Sequence, residues 1–166
     1  FYKRPTQAAD YWEKFPQGLA GKDLKAGGTW LGITKNGRFA AITNYRDGRM
    51  AERENAPSRG AITSNFLTGN QTPEDYCHEI SENAHLYNGF NLLVGDKNSL
   101  WYYSNRSDEA PVSLPPGIYG LSNELLDTPW FKVKRGKFLI EHHLHSNNLH
   151  PRPFLDMLRD IDVPTD

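Results

Sequence analysis

"GGTWLGITKNGRFAAITNYRD", Gly27 to Asp47, is the stretch on which the rest of the chain is read. Asn36-Gly37 lies between two runs rich in Leu, Ile, Phe and Ala, and both residues tolerate the positive φ that a tight hairpin turn demands. The stretch predicts a strand over "TWLGIT", a turn at "KNG" and a second strand over "RFAAITNY". Neither arm alternates cleanly between apolar and polar. Leu31 and Ile33 face one way and Trp30 the other, while Phe39 and Ala41 oppose Ala40 and Ile42. Strands apolar on both sides predict a sheet covered on both sides. The second arm then ends in Asn44, Tyr45, Arg46 and Asp47, polar groups presented from the edge of a rigid strand.

Outward from this hairpin, "FYKRPTQAADYWEKFP" is Pro-bounded and aromatic. It reads as irregular chain with a short helical turn around Ala8 to Phe15. "APSRGAITSNFLTG" reads as a helix with Ser58 as N-cap and Gly69 as its stop. "TPEDYCHEISENAHLY" is a clearer helix: Thr72 caps it, Pro73 occupies the first turn, and Tyr76, Ile80, Ala84 and Tyr87 form one apolar stripe. "GFNLLVGD", "KN" and "SLWYYSN" predict a second hairpin, and "GIYGLSN" a further strand. From Thr128 the period turns helical, with Trp130, Val133, Ile140 and Leu144 on one side and Gly136 weakening it. "RPFLDMLRDI" closes as a short helix opened by Pro151 and Pro153. Hairpins, helices, a hairpin, a strand and a helix make an α+β chain, read as a single domain over residues 1–166 with helices outside two stacked antiparallel sheets.

Composition narrows the function. The 166 residues carry 19 basic and 20 acidic side chains, a net charge of -1, which argues against a dedicated nucleic-acid or membrane-surface binder. No apolar run approaches the roughly 18 residues that span a bilayer, so no membrane span is expected. The single Cys77 excludes an internal disulfide or a multi-Cys zinc site and fits a reducing compartment, the cytoplasm if the source is bacterial. Cys77, beside the apolar stripe, reads as a buried small residue with no base to activate it. His142, His143, His145 and His150 cluster in "EHHLHSNNLH". No HExxH or carboxylate completes a metal set, so they read as an exposed helix end, and His78 and His85 as solvated positions. Gly27-Gly28 reads either as a turn or as a point of close ligand approach, and "AGG" is too short for a phosphate loop.

"FYKRP", "LAGKDLKAGGTWLGITKNGRFAAITNYRD", "SRG", "YNGFNLLVGD", "LWYYSN" and "PPGIYGLSNELLDTPWFKVKRGK" together resemble the NRDE-motif family, also called the Transport and Golgi organisation protein 2 family. The resemblance covers Phe1 to Lys137; Phe138 to Asp166 carries little that is diagnostic. In that family an Asn-Arg-Asp-Glu motif directly precedes a Phe-Tyr pair like Phe1-Tyr2, and an upstream strand carries a Cys after the initiating Met. An N-terminal strand and C-terminal strands are therefore expected beyond this chain. The family in turn resembles the N-terminal-nucleophile hydrolases, which implies an antiparallel αββα sandwich.

The same resemblance implies site residues. In the acylase branch an Asn at a comparable strand end lines the pocket, and "LSNELLDTPW" resembles a segment whose Asn donates to an oxyanion. By motif these are Asn44 and Asn123, candidate oxyanion donors, with the nucleophile outside the chain. Side-chain amides suit this work because a developing oxyanion needs fixed donors. Trp30 and Tyr45 are candidates for an aromatic wall and Arg46 for an anionic group, with Asp47 orienting it. The plainer alternatives are core packing for the aromatics, local turn bonding for the asparagines, and a solvated ion pair for Arg46 and Asp47.

Three functions remain open. The first is a protein that binds or mobilises an amphipathic small molecule, haem as cargo or an acyl-CoA or lipid. The second is an amide (C–N) hydrolase acting on an N-acyl amide through an N-terminal Cys. The third is a structural or interaction protein.

Overall fold

A computed structural model describes residues 4–46, 48, 53–145 and 150–159. The chain divides into two compact units, Phe1–Pro115 and Pro116–Asp166. In the first, strands β1 (Thr6–Trp12), β2 (Phe15–Asp23), β3 (Leu31–Thr34), β4 (Phe39–Asn44), β5 (Phe90–Gly95), β6 (Leu100–Ser104) and β7 (Val112–Ser113) form one seven-stranded sheet. Every neighbouring pair is antiparallel and the strand order follows the chain. Helices α1 (Gly60–Thr68) and α2 (Pro73–Asn83) are inserted between β4 and β5, followed by one 3-10 turn at Ala84–Leu86.

The "KNG" hairpin forms as its turn chemistry requires. Gly37 takes φ 93°, Gly37 N donates to Thr34 O at 2.9 Å, and Thr34 N donates to Arg38 O at 2.9 Å. Pairing runs Leu31 with Ala41 and Ile33 with Phe39. The β5–β6 hairpin closes through Asp96, whose Oδ1 accepts from the backbone N–H groups of Asn98 at 2.8 Å and Ser99 at 3.0 Å.

Two readings of the opening and closing segments are corrected. Ala8 to Phe15 holds no helical turn; it is the greater part of β1 and the turn into β2, in a hairpin with register Thr6 with Asp23 and Tyr11 with Leu19. "GIYGLSN" is not a strand. Gly120 is clasped instead by Asp127, whose Oδ1 accepts from Gly120 N at 2.7 Å while Asp127 N donates to Gly120 O at 2.8 Å. Both partners of the Gly120 peptide are thereby spent within the loop.

The helices cover one face of the sheet. Ala40, Ile42, Phe90, Leu92, Val94 and Tyr103 lie beneath Ile62, Phe66 and Leu67 of α1 and Tyr76, Cys77 and Ile80 of α2. Tyr76 Oη donates to Ile62 O at 2.6 Å and ties the two helices together inside this core. Arg38 crosses to the far end of α1: its Nε donates to Phe66 O at 3.0 Å and its guanidinium stacks 3.8 Å from the Phe66 ring centre. That contact satisfies a C-terminal carbonyl of the helix. α2 is capped as its sequence predicts, Thr72 Oγ1 accepting from Asp75 N at 3.1 Å. α1 is not capped by Ser58; Arg59 holds the N-cap position without a side-chain cap bond, and Gly69 ends the helix.

The opposite face differs from the doubly covered sheet the patterning predicts. Leu31 is 58 % exposed, Ile33 48 % and Tyr11 49 %, with Phe39, Ala41 and Leu93 partly exposed beside them. Paired positions share a face, so these residues form adjacent apolar rows across β1 to β5. Toward Thr43 the same face is polar and closed, with Tyr102 Oη donating to Asn91 Oδ1 at 2.9 Å and Asn91 Nδ2 to Thr43 Oγ1 at 3.2 Å.

The second unit contains α3 (Phe131–His145) and α4 (Pro151–Met157). His143 packs edge-on against Phe154 at 5.8 Å between ring centres, joining them. His150 is the N-cap of α4, its Nδ1 accepting from Arg152 N at 3.2 Å.

Candidate functional site

The ends of β2, β3 and β4 that carry Asp23, Trp30 and Asn44 open onto a cavity of about 810 Å³. Its size falls within the range of small-molecule sites, roughly 300–1,000 Å³. The floor is the tight turn after β2. Asp23 N donates to Gly28 O at 2.8 Å and Gly27 N to Asp23 O at 2.7 Å. Gly27 adopts φ 78°, while Gly28 is buried so closely against Gly60 that a Cβ there would overlap the Gly60 backbone. Thr29 N donates to Gly60 O at 3.2 Å across this contact, so the first turn of α1 is pinned to the sheet end.

Asp23 is buried and receives Arg4, whose Nε donates to its Oδ2 at 2.8 Å. The Asp23 carboxyl is held below the usual carboxylate range, first by the Arg4 hydrogen bond and further by the backbone N–H groups of Lys25 and Ala26, against the upward pull of burial. The same pair raises Arg4 above its ordinary value. This ion pair closes one side of the cavity.

The loop from Arg53 to Gly60 also lines the cavity, and it is fastened at two points. Arg53 N donates to Asn88 Oδ1 at 2.9 Å and Asn88 Nδ2 returns a bond to Arg53 O at 3.0 Å, so the Asn88 amide imitates a strand bridge. The Arg53 guanidinium bonds the carbonyls of His85 at 2.7 Å and Tyr87 at 3.0 Å. Six residues on, Arg59 Nη1 donates to Gly89 O at 2.7 Å. Both guanidiniums donate to carbonyls of one short segment, which fixes their position. Among the described residues, Lys25 and Glu54 also line it.

Of the sequence candidates, Trp30 and Asn44 line this cavity. Trp30 is 42 % exposed, so it is a wall with a free surface rather than a core residue. Ile42 N donates to Trp30 O at 2.8 Å, which holds the Trp30 backbone to β4. Tyr45 is partly buried just past β4, with its N–H donating to Gly89 O at 3.0 Å, and Arg46 is exposed. Asp47, named with Arg46, lies outside the described residues, as do Phe1 and Tyr2. Asn123 belongs to the second unit, in the loop before α3. The second unit has a smaller cleft of its own, about 360 Å³, between Tyr119–Ser122 and the α3 residues Val133, Gly136, Lys137 and Ile140.

Cys77 is fully buried and its thiol is pushed up to about 12 by burial, so it supplies no thiolate at neutral pH. Among the described residues no group of three His, Cys, Asp or Glu side chains is arranged to hold a metal ion. No described helix is long and apolar enough to cross a membrane.

Arg53, Arg59 and Asn88 were not legible as site residues. Their signal, the "SRG" preceding α1 and the "YNG" preceding β5, marks two loops without showing that they meet. Comparison with known proteins gives the remaining context. The family model described as Transport and Golgi organisation 2 matches residues 1–163. A Transport and Golgi organization protein 2 homolog of Bos taurus is 46 % identical over 84 % of this chain and 52 % of its own length. Homologs of the same description from Mus musculus and Homo sapiens are each 40 % identical over 93 % of the chain and 58 % of their own length. The chain thus spans little more than half the length of these relatives.

Proposed function

The chain belongs to the Transport and Golgi organisation 2 family, and on that premise we propose that it binds or mobilises an amphipathic small molecule, haem or an acyl-CoA or lipid, in the cavity between the sheet end and the Arg53–Gly60 loop. The observation that carries this reading is the cavity's mixed lining: an exposed indole, Trp30, together with the anchored Arg53 and Arg59 and with Asn44. A ligand with an apolar body and a polar end finds a partner for each part. Titration of the full-length family protein with haemin and with an acyl-CoA tests it. Affinity above that of an unrelated protein of matched charge is expected, with a loss on Trp30→Ala; equal affinity for both proteins overturns the reading.

The proposed scaffold is the αββα sandwich of the N-terminal-nucleophile hydrolases, with a second sheet supplied by the part of the family protein outside this chain. The apolar rows of Leu31, Ile33 and Phe39 support it, because a face of that character suits a second layer about 10 Å away. On such a scaffold Asn44 serves an amide-hydrolase reading as well, as an oxyanion donor with Asn123 as its partner by motif and the nucleophile outside this chain. Turnover of an N-acyl amide by the full-length protein, abolished when its N-terminal Cys is replaced by Ala, is the expected result. Absent turnover, or turnover indifferent to that replacement, removes this second reading.

A further inference from the structure

The helix layer of the first unit carries a groove of about 330 Å³ between α1 and the stretch from α2 to Tyr87. Ile62, Ile80, Leu86 and Tyr87 give it apolar ground, and Leu86 is 46 % exposed. Tyr76, Glu79, Ile80 and Asn83 recur at three- and four-residue spacing, so the groove follows successive turns of α2 and is elongated. Glu79 lines it, with Gln71 Nε2, a neutral partner, donating to its Oε2. The groove and the larger cavity share no described lining residue; Arg53, which bonds the carbonyls of His85 and Tyr87, lines the cavity and not the groove.

The charge of this layer is one-sided. Gly60 to Gly89 carry Glu74, Asp75, Glu79 and Glu82 and no Lys or Arg, in a chain whose net charge is -1. Glu74 and Asp75 lie in the first turn of α2, where the helix dipole favours them. Glu79 and Glu82 lie in the second half, where it does not, and the last turn holds no basic residue. Asp75, Glu79 and Glu82 stand at i, i+4 and i+7, so like charges neighbour one another along one face of α2. Folding gains nothing from such a row, whereas a cationic partner does.

We propose that this groove docks a basic amphipathic segment of a partner protein, with an apolar side chain seated against Ile80 and Leu86 and its Lys or Arg residues against Asp75, Glu79 and Glu82. An elongated groove with an apolar strip beside a row of carboxylates suits a chain segment of the converse pattern. The carboxylates select the sign of the partner and steer its approach, and the apolar strip anchors it.

The test is fluorescence anisotropy of the full chain with three labelled peptides of equal length, built of Lys–Leu, Lys–Ser and Glu–Leu repeats. The Lys–Leu peptide is expected to bind at least about tenfold more tightly than either of the others and to weaken with salt. Glu79→Gln and Leu86→Ser each weaken it about tenfold, while Glu109→Gln, at an exposed carboxylate between β6 and β7, leaves it unchanged. Unchanged circular dichroism shows that these variants fold. Glu82→Gln separates docking from folding: it weakens binding and, by relieving repulsion on α2, leaves the thermal midpoint unchanged or higher. A lowered midpoint makes Glu82 a folding residue and overturns its assignment to docking. Equal binding of the Lys–Ser peptide, binding indifferent to Glu79→Gln and Leu86→Ser, or no binding by the Lys–Leu peptide overturns the docking surface.

Discussion

Replacing Gly28 by Ala tests the joint on which the cavity depends. A Cβ at Gly28 meets the Gly60 backbone and, at 2.8 Å, the N of Ala61. All of these are main-chain atoms at the start of α1, so no side-chain rotation relieves the overlap. The helix start must retreat, at a cost of about 1–3 kcal/mol for overpacking, and the Thr29 N to Gly60 O bond of 3.2 Å is stretched or lost for about 1 kcal/mol more. Gly27→Ala is the internal control. Its Cβ meets nothing within 4 Å, but its φ of 78° costs a non-glycine residue about 1 kcal/mol. Urea unfolding followed by circular dichroism separates the two. With a slope of about 2 kcal/mol/M, a loss of about 3 kcal/mol lowers the midpoint by about 1.5 M, and a loss of about 1 kcal/mol by about 0.5 M. On the proposed ligand-binding reading, Gly28→Ala is also expected to weaken haemin or acyl-CoA binding, because the Arg59 end of the wall moves with the helix start. A Gly28→Ala protein as stable as Gly27→Ala refutes the close approach on which the cavity wall is built.

The other predictions concern single groups. Asp23 has a depressed carboxyl pKa in the folded chain, so its contribution to stability is present above the unfolded value of about 3.9 and is lost as pH falls through the folded value. Denaturation midpoints measured from pH 7 to pH 2 are expected to fall less steeply below about pH 4 in Asp23→Asn than in the wild type; parallel curves count against the Arg4–Asp23 pair. Tyr76→Phe removes the hydroxyl that bridges α2 to Ile62 O and is expected to cost about 1–2 kcal/mol, checked by the same unfolding assay. Cys77, fully buried with its thiol near 12, is expected to resist a disulfide reagent at pH 8 in the folded protein and to react at once in denaturant. Fast reaction of the native chain contradicts that burial.

What the sequence disclosed, and what it withheld, divides by range along the chain. The β3–β4 and β5–β6 hairpins and α2 rest on signals a few residues wide: Asn36-Gly37, Asp96 with Asn98 and Ser99, and Thr72 before Pro73. These determine their own geometry and could be read directly. β1 could not, because "TQAADYWEK" contains good helix formers, and only pairing with β2, itself held by β3, makes it a strand. The Gly27-Gly28 pair looked like one feature and is two, a left-handed turn residue beside a point of contact with Gly60, thirty-odd positions away. At the cavity, Trp30 and Asn44 were legible because they terminate a recognisable hairpin. Arg53, Arg59 and Asn88 were not, because their positions come from a loop-to-loop clasp that no local pattern encodes.

That clasp has an evolutionary corollary. Because the Arg53–Gly60 wall is moored at each extremity to residues 85–89, insertions or deletions between the moorings would reshape the entrance while leaving strand register and helix packing untouched. The shape of the cavity is thereby free to drift within the lineage through a handful of loop positions, uncoupled from the requirements of folding.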